Sequence, residues 1–317
     1  MSGSAPQVLF VTSDRIGDCV MSSGAIREIG RQVPGAEITV ACGPTAAALF
    51  RAAPGVVQVI PWRKQKAAGH WRALWRATVG TRWAMVVDVR GSGLAYLLRA
   101  GQRRIYNRSW ETGLAKVETF SRMMKAGVVM EPEIFLDDQA RSQAAAIIGE
   151  NPAPVLALAP ISTAADRSWP ADRWAALVER LKAEPRFDGW RFMLVGGPGD
   201  HPAAAPALTA AGDRGIDCVG RGDILASAAA IARARLFVGN DSGLMHVAAA
   251  TGTPTLGLFG PSEWWHKAPW GPKGQVLASS PTRGEFRPIT DLTVDQTVEA
   301  VLALHDAFID GANPDQP

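Results

Sequence analysis

One aspartate in the sequence occupies a position that suits proton transfer. Asp18 follows the polar turn at residues 12–17, which connects an opening apolar run at 8–11 to the first predicted helix. A carboxylate held at such a point can take the proton from a hydroxyl group as a general base. The start of a helix is also the commonest place for an aspartate that merely caps it. Asp18 is therefore a candidate base or a helix cap.

A second polar turn, at residues 239–243, follows another apolar run and opens a helix of small residues. Asp241 or Ser242 can cap that helix, and Gly243 lets a ligand approach the backbone closely. The free amides and the positive dipole end of a helix N-terminus suit a phosphate group. The alternative is an ordinary N-cap, with His246 as a histidine of the core.

Two more turns have residue types that bind nucleotides. Gly196 and Gly197 follow a predicted strand and permit close backbone approach, and Asp200 can accept hydrogen bonds from ribose hydroxyls. A plain glycine-rich connection explains this turn almost as well, because its spacing is not GxGxxG. Arg167 lies before a Trp-Pro pair and can hold a diphosphate in a forked contact, although most arginines in such loops are simply solvated.

Positive charge is concentrated in the first half of the chain. Residues 1–150 contain 19 Lys and Arg against 12 Asp and Glu, whereas residues 151–317 contain 14 against 18. Arg63, Lys64 and Lys66 belong to this excess and are followed by tryptophans, so the segment offers cations for an anion and aromatic surfaces for sugar or lipid. The alternative is an amphipathic surface helix whose tryptophans belong to the core.

The elements that would position these residues are short strands alternating with helices, a pattern typical of βαβ units and parallel sheets. The sequence thus predicts an α/β fold. Its length favours two domains, with the boundary in the proline-rich stretch 149–154, giving 1–150 and 151–317. Strands are predicted at 8–11, 37–41, 56–60, 85–87, 155–159, 191–195, 216–219, 236–238 and 255–259. In the first half, helices are predicted at 18–33, 45–53, 67–79, 91–99, 113–126 and 138–149.

Several patterns are absent from the sequence. It contains no DxD, Walker, HExxH or GxSxG pattern, so no metal and no cofactor are expected, and phosphate charge must be neutralised by helix ends and cations. The three cysteines are odd in number and widely spaced, which favours reduced thiols in the cytoplasm. The opening apolar run is too short for a signal peptide, and no run approaches the roughly 20 residues of a membrane span.

Taken in order, these turns resemble those of glycosyltransferase family 9, the ADP-heptose:lipopolysaccharide heptosyltransferases. The resemblance covers roughly residues 8–275. It rests on the segments 14–18, 167–170, 195–198, 239–246, 252–254 and 258–261. It implies a GT-B fold, two Rossmann-like domains facing across a cleft. It also implies an inverting, metal-independent transfer, with the acceptor on the N-terminal domain and the nucleotide sugar on the C-terminal domain.

The resemblance also implies roles for single residues. Asp18 matches the catalytic aspartate of the family, and Asp241, Ser242 and Gly243 match its diphosphate-binding turn, with His246 on the histidine of the same motif. The sequence departs from the family at two places. Arg167 stands where a lysine is usual, which keeps the charge but changes its reach. Asp200 stands where a glutamate is common, and its side chain is one methylene shorter.

The partners that the resemblance implies are ADP-heptose as donor and an anionic glycolipid as acceptor, the Kdo-bearing inner core of lipopolysaccharide at the cytoplasmic membrane face. The protein is then expected in the cytoplasm, with peripheral contact to the inner face of the membrane and no nucleic-acid partner. The alternatives are a GT-B transferase with another nucleotide sugar or acceptor, and a catalytically silent nucleotide-binding protein. A C-terminal helix that packs back on the N-terminal domain is a further alternative.

Overall fold

The computed structural model describes residues 4–110 and 113–310. Its contacts divide the chain into two compact units, Met1–Phe135 and Leu136–Pro317. Each unit contains one sheet of parallel strands with helices packed against it. The α/β class predicted from the alternation of strands and helices is therefore confirmed.

The first unit has a five-stranded sheet in the order β3-β2-β1-β4-β5. Its strands are β1 (Gln7–Val11), β2 (Glu37–Cys42), β3 (Val56–Pro61), β4 (Trp83–Asp88) and β5 (Ala100–Ile105). Its α-helices are α1 (Ile16–Met21), α2 (Ala25–Gln32), α3 (Gly69–Thr78) and α4 (Lys116–Met124), and short 3-10 helices include Pro44–Phe50, Lys66–Ala68, Gly93–Leu97 and Arg108–Trp110. The strand order reverses between β1 and β4. Ligands of open parallel sheets bind beyond the carboxyl ends of the strands at such a reversal.

The second unit has a six-stranded sheet in the order β11-β10-β9-β6-β7-β8, which reverses between β6 and β9. Its strands are β6 (Val155–Ala159), β7 (Arg191–Gly196), β8 (Gly215–Val219), β9 (Leu236–Asn240), β10 (Thr255–Phe259) and β11 (Gly274–Ala278). Its α-helices are α5 (Asp138–Ile148), α6 (Ala171–Lys182), α7 (His201–Ala211), α8 (Ile224–Ile231), α9 (Gly243–Ala250), α10 (Trp264–Lys267) and α11 (Val294–His305).

The central strands of both sheets are buried along nearly their whole length. Every residue of β6, β9 and β10 is buried, as are four of the five residues of β1. Helices cover both faces of such a sheet, so its strands consist of continuous apolar runs rather than alternating ones. These runs are the reason that the sequence located the central strands correctly.

The structure has two strands that the sequence did not predict, β5 and β11. Both lie at a sheet edge, where one side of the strand has no neighbour and the side chains are partly exposed. The segment 100–105 includes a glycine and two arginines and therefore has no apolar run. Edge strands commonly carry such charged residues, which discourage pairing with another chain.

Three helix predictions were wrong in detail. The single helix expected at 18–33 is interrupted between α1 and α2, where Gly24 lies so close to residues 130–131 that an added Cβ would be 2.5 Å from the Glu131 carbonyl oxygen. The helices expected at 45–53 and 91–99 are the short 3-10 helices Pro44–Phe50 and Gly93–Leu97.

The division between the units falls earlier than the proline-rich stretch 149–154. Helix α5 packs against α8 and β8, so it belongs to the second unit although the sequence assigned it to the first. The proline and glycine residues mark a loop inside the second unit, between α5 and β6. The C-terminal helix α11 packs against α6 and the sheet of the same unit. Within the described residues, no helix combines the length and the apolar character needed to cross a membrane.

Candidate active site

The loop after β1 is fixed to the neighbouring strand β2 by backbone hydrogen bonds. The Thr12 amide donates to the Ala41 carbonyl at 2.8 Å, and the Gly43 amide donates to the Ser13 carbonyl at 2.9 Å. Thr12 and Ser13 are buried. Asp18 lies in the first turn of α1, whose N-cap residue is Arg15. The loop therefore holds Asp18 at the carboxyl end of β1, beside the reversal of strand order.

Each carboxylate oxygen of Asp18 accepts a hydrogen bond. Lys116 Nζ lies 2.9 Å from Asp18 Oδ1, and Ser13 Oγ donates to Asp18 Oδ2 at 3.1 Å. The side chains of Asp18 and Lys116 are 18% and 24% exposed. Asp18 thus acts in a side-chain network, and the helix-cap alternative does not describe the position, which Arg15 occupies.

Asp18 and its partners line a cavity of about 340 Å³ in the first unit. This is the lower end of the size range of small-molecule sites. Among residues 4–110 and 113–310, those that line it are Ser13, Asp18, Val89, Arg90, Tyr106, Arg108, Lys116 and Phe120. Within this set, three side chains are cations and one is a carboxylate, which gives a surface that attracts an anionic ligand.

Asp88 positions one of these cations, Arg90. It is the last residue of β4 and is fully buried. Its carboxylate accepts hydrogen bonds from the Arg90 amide, the Ser92 amide and the Ser92 hydroxyl at 2.9, 2.9 and 2.7 Å. Burial raises the pKa of the Asp88 carboxyl, and these hydrogen bonds oppose the rise. Arg90, held in this way, donates to Ser13 Oγ at 3.2 Å and lies 3.7 Å from Asp14 Oδ1.

Sequence reasoning did not single out Arg90, Arg108 or Lys116. They belong to the basic first half, but no local pattern distinguishes them from the other cations there. The fold brings them together from the loop after β4, a 3-10 helix after β5 and the first turn of α4. Only Arg90 had a usable signal, since it follows a predicted strand and so belongs to the carboxyl edge of the sheet.

The structure places Arg63, Lys64 and Lys66 on an exposed segment between β3 and α3. They are not among the residues that line the Asp18 cavity. Of the aromatic residues nearby, one belongs to the core and another is exposed, where it could contact a ligand. Trp62 is buried and stacks on His70 with ring centroids 5.3 Å apart, whereas Trp75 is 38% exposed.

In the second unit, the two polar turns at the reversal of strand order meet. Arg167, in the loop after β6, donates from Nη1 to Oδ2 of Asp241 at 3.1 Å. Asp241 directly follows β9 and is buried, while the Arg167 side chain is 24% exposed. Ser162 Oγ also donates to the Asp241 carbonyl at 3.1 Å. The predicted diphosphate-binding residues Arg167 and Asp241 are thus in direct contact.

The start of α9 presents polar atoms that lack partners among the described residues. Ser242 is the N-cap residue, but its hydroxyl makes no capping hydrogen bond and is buried. Asn240 Nδ2 is also buried without a partner there, while Asn240 Oδ1 accepts from the Trp169 amide at 3.2 Å. Gly243 is the first residue of the helix, and His246 is buried within it. Buried polar atoms without partners are rare and indicate a ligand or water.

The glycine turn after β7 is closed by Asp200. Asp200 Oδ2 accepts a hydrogen bond from the Gly197 amide at 2.7 Å. A Cβ added to Gly196 would be 2.8 Å from Ile161 Cδ1, so a larger residue there would displace the end of the Ile161 side chain. The turn therefore has a structural role through Asp200 Oδ2. The predicted contact of Asp200 with ribose stays a prediction.

Comparisons with known proteins agree with this geometry. A model of glycosyltransferase family 9 (heptosyltransferase) matches residues 117–287. Lipopolysaccharide heptosyltransferase 1 of Pseudomonas aeruginosa is 26% identical over 285 residues, which cover 81% of this chain and 79% of that protein. ADP-heptose LPS heptosyltransferase II of E. coli has a TM-score of 0.76 at 22% identity, covering 94% of this chain and 98% of that one. The glycosyl transferase family 9 protein of Veillonella parvula has a TM-score of 0.80 at 17% identity, with coverages of 96% and 98%.

Two parallel-sheet units with polar turns at each reversal of strand order, together with these structural similarities, show a protein of the GT-B fold. The family match spans more than half of the chain, so the chain belongs to glycosyltransferase family 9. The resemblance that the polar turns indicated is therefore confirmed, as is the assignment as a transferase enzyme.

Proposed function

We propose that this enzyme transfers a heptose from ADP-heptose to the anionic inner core of lipopolysaccharide, with Asp18 as the general base. The observation that carries the proposal is the position of Asp18, which lines a cavity of the first unit together with Arg90, Arg108 and Lys116. A carboxylate in a cation-rich cavity suits an acceptor that is both hydroxylated and anionic. The names of the similar proteins in Pseudomonas aeruginosa and E. coli support lipopolysaccharide and ADP-heptose as substrates.

The reaction we propose is a single displacement. Asp18 accepts the proton of an acceptor hydroxyl while that oxygen bonds to the anomeric carbon of the heptose. The bond from that carbon to the diphosphate breaks on the opposite face, so the anomeric centre inverts and ADP leaves with the bonding electron pair. Two features prepare Asp18 for this step: its loop is anchored to β2 by the backbone, and its carboxylate is oriented by Ser13 and Lys116.

For the donor, we propose the start of α9 as the diphosphate site. Its first-turn amides and the hydroxyl of Ser242 can donate to phosphate oxygens, and the dipole of the helix favours negative charge there. Arg167 adds a cation, since a guanidinium has five N–H donors and the contact with Asp241 uses one. Such preorganised donors stabilise the charge that develops on the leaving diphosphate. We therefore propose that transfer needs no metal, and we expect activity in excess EDTA.

For the acceptor, we propose the first unit, including the exposed cations Arg63, Lys64 and Lys66. These residues would give the first unit further exposed positive charge for a large anionic glycolipid, with Trp75 as an exposed aromatic surface. The acceptor would be the Kdo-bearing inner core, which we place at the cytoplasmic face of the membrane. The enzyme would then work in the cytoplasm and reach its acceptor peripherally at that face, by charge attraction.

The donor is tested by ligand-dependent thermal unfolding. A ligand that binds only the native state raises the unfolding temperature, so ADP should raise it more than UDP, GDP or CMP at equal concentrations. A larger shift with UDP or GDP would favour the alternative of another nucleotide sugar. In the same preparation, slow hydrolysis of ADP-heptose without acceptor should disappear in Asp18→Ala. Hydrolysis that persists in Asp18→Ala would contradict the role of Asp18.

A further inference from the structure

We infer that Lys116 is a positioning residue that keeps the Asp18 carboxylate ionised and fixes its orientation. The inference rests on the proposed function, because it matters to the reaction only if Asp18 is the base. It is carried by the contact of Lys116 Nζ with Asp18 Oδ1 at 2.9 Å, between side chains separated by 98 residues of sequence. Lys116 would act through Asp18 rather than on the reacting atoms.

The position of Lys116 in its own helix does not account for its charge. Lys116 is the first residue of α4, where the positive end of the helix dipole disfavours a cation. The favourable charge at this end is Glu118, which accepts a hydrogen bond from the Ala115 amide at 2.8 Å. A lysine placed against the local preference of its helix indicates a role in a contact outside the helix, and that contact is Asp18.

The surroundings of the pair separate it from an ordinary surface ion pair. Both side chains are less than one-quarter exposed, so solvent screens their attraction less than at the surface. Both also line the cavity, so the pair borders the space that a ligand would occupy. With Oδ1 held by Lys116 and Oδ2 by Ser13, rotation of the carboxylate about its Cβ–Cγ bond would break both contacts.

Other charged or titratable groups also lie near Asp18. Arg90 reaches Ser13 Oγ and Asp14 Oδ1, and its charge is shared with Asp14 at 3.7 Å. Cys19 is adjacent in α1, and burial raises the pKa of its thiol, so it stays neutral near pH 7. Tyr106 and Arg108 are the other titratable residues of the part of the lining that the structure describes. Lys116 is a cation in direct contact with the Asp18 carboxylate, so it favours the ionised form of that carboxylate.

The test is the ionisation of Asp18 itself, measured apart from catalysis. The protein is prepared with aspartate labelled with ¹³C at the carboxyl carbon and is titrated by NMR. The resonance of Asp18 is identified by its loss in Asp18→Asn. Its titration midpoint is then compared in the wild type, Lys116→Met, Lys116→Arg and the control Arg122→Met. Arg122 is a cation of the same helix that is exposed and does not line the cavity.

The inference predicts an upward shift of the Asp18 midpoint by about 1–3 pH units in Lys116→Met, because a neighbouring cation lowers the pKa of a carboxyl by that amount. Lys116→Arg should restore most of the wild-type value, and Arg122→Met should leave it unchanged. An unshifted midpoint in folded Lys116→Met would overturn the inference; if that variant does not fold, Lys116→Gln replaces it. The acid limb of the pH profile of kcat/KM should move with the titration midpoint of Asp18. A shifted midpoint with an unmoved acid limb would support the effect of Lys116 on Asp18 and contradict Asp18 as the base.

Discussion

Arg167 donates a hydrogen bond to Asp241 at 3.1 Å, which joins two turns that lie 74 residues apart in the sequence. Arg167 follows β6 and Asp241 follows β9, the two strands between which the order of the second sheet reverses. The pair therefore lies at the place where an open parallel sheet binds its ligand. It also compensates a buried carboxylate, since Asp241 is 4% exposed.

Removal of Arg167 should destabilise the protein through the carboxylate that it leaves behind. Arg167→Met leaves Asp241 buried without its cation, so we expect a loss of about 1–3 kcal/mol in the free energy of unfolding. The double variant Arg167→Met/Asp241→Asn should recover part of that loss, because its buried group is neutral. Denaturant unfolding of the wild type, Arg167→Met, Asp241→Asn and the double variant checks this. Losses that simply add in the double variant would show that the two side chains are energetically independent.

Nucleotide binding should depend on the open backbone at the start of α9. A valine side chain at Gly243 occupies the space that phosphate oxygens need beside the first-turn amides, so Gly243→Val should weaken ADP binding at least about tenfold. The matched control is Ala250→Val, at the other end of the same helix. Calorimetry with ADP measures both. Equal ADP affinity in the two folded variants would place the nucleotide elsewhere.

The exposed cations should act on the acceptor and not on the donor. Replacement of Arg63, Lys64 and Lys66 by neutral residues should raise the acceptor KM, leave the donor KM nearly unchanged and flatten the dependence of the acceptor KM on salt. Exposed charges act over about 8–10 Å at physiological salt, so their contribution falls as salt rises.

The control for these cations is neutralisation of Arg221, Arg233 and Arg235, which are exposed cations of the second unit. Steady-state kinetics at several salt concentrations compare the two triple variants. If the first variant loses donor affinity and keeps acceptor affinity, the roles proposed for the two units are reversed.

Two glycine-to-alanine substitutions of the first unit should have opposite effects. A Cβ added to Gly43 would be 2.6 Å from the Cα and carbonyl oxygen of Asp14, so Gly43→Ala must displace the loop that positions Asp18. We expect lower turnover and lower stability. Gly30 lies in α2 with open space around its added Cβ, so Gly30→Ala should stabilise the protein by about 0.5–1 kcal/mol with normal turnover. Normal turnover in Gly43→Ala would show that the loop tolerates displacement.

The central strands and the polar turns that follow them could be predicted from the sequence because both depend on local residue order. Continuous apolar runs identified β1 and β6, and each is followed by a loop that contributes to a site. The edge strand β5, which pairs with β4, was not predicted because its arginines and glycine leave it without an apolar run. The proline-rich stretch 149–154 predicted a domain boundary, but a turn signal does not reveal that α5 packs against α8.

The cations around Asp18 could not be predicted for a different reason. Lys116 reaches Asp18 across 98 residues of sequence, and Arg90 is directed toward Ser13 by the buried carboxylate of Asp88. These contacts depend on the order of the strands in the sheet and on where α4 begins relative to the end of β1. The spacing of the residues along the sequence reveals neither the strand order nor the position of α4.

If Asp18 is the base of heptose transfer to a lipopolysaccharide acceptor, its carboxylate is needed for transfer and not for ADP binding. This is tested by mass spectrometry of a heptose-free acceptor incubated with ADP-heptose and either the wild type or Asp18→Asn, with ADP binding by both proteins measured in parallel. We expect the acceptor to gain one heptose with the wild type, and about 10²–10⁴-fold slower transfer with Asp18→Asn at nearly unchanged ADP affinity. Wild-type transfer rates in Asp18→Asn would contradict the role of Asp18 as the general base.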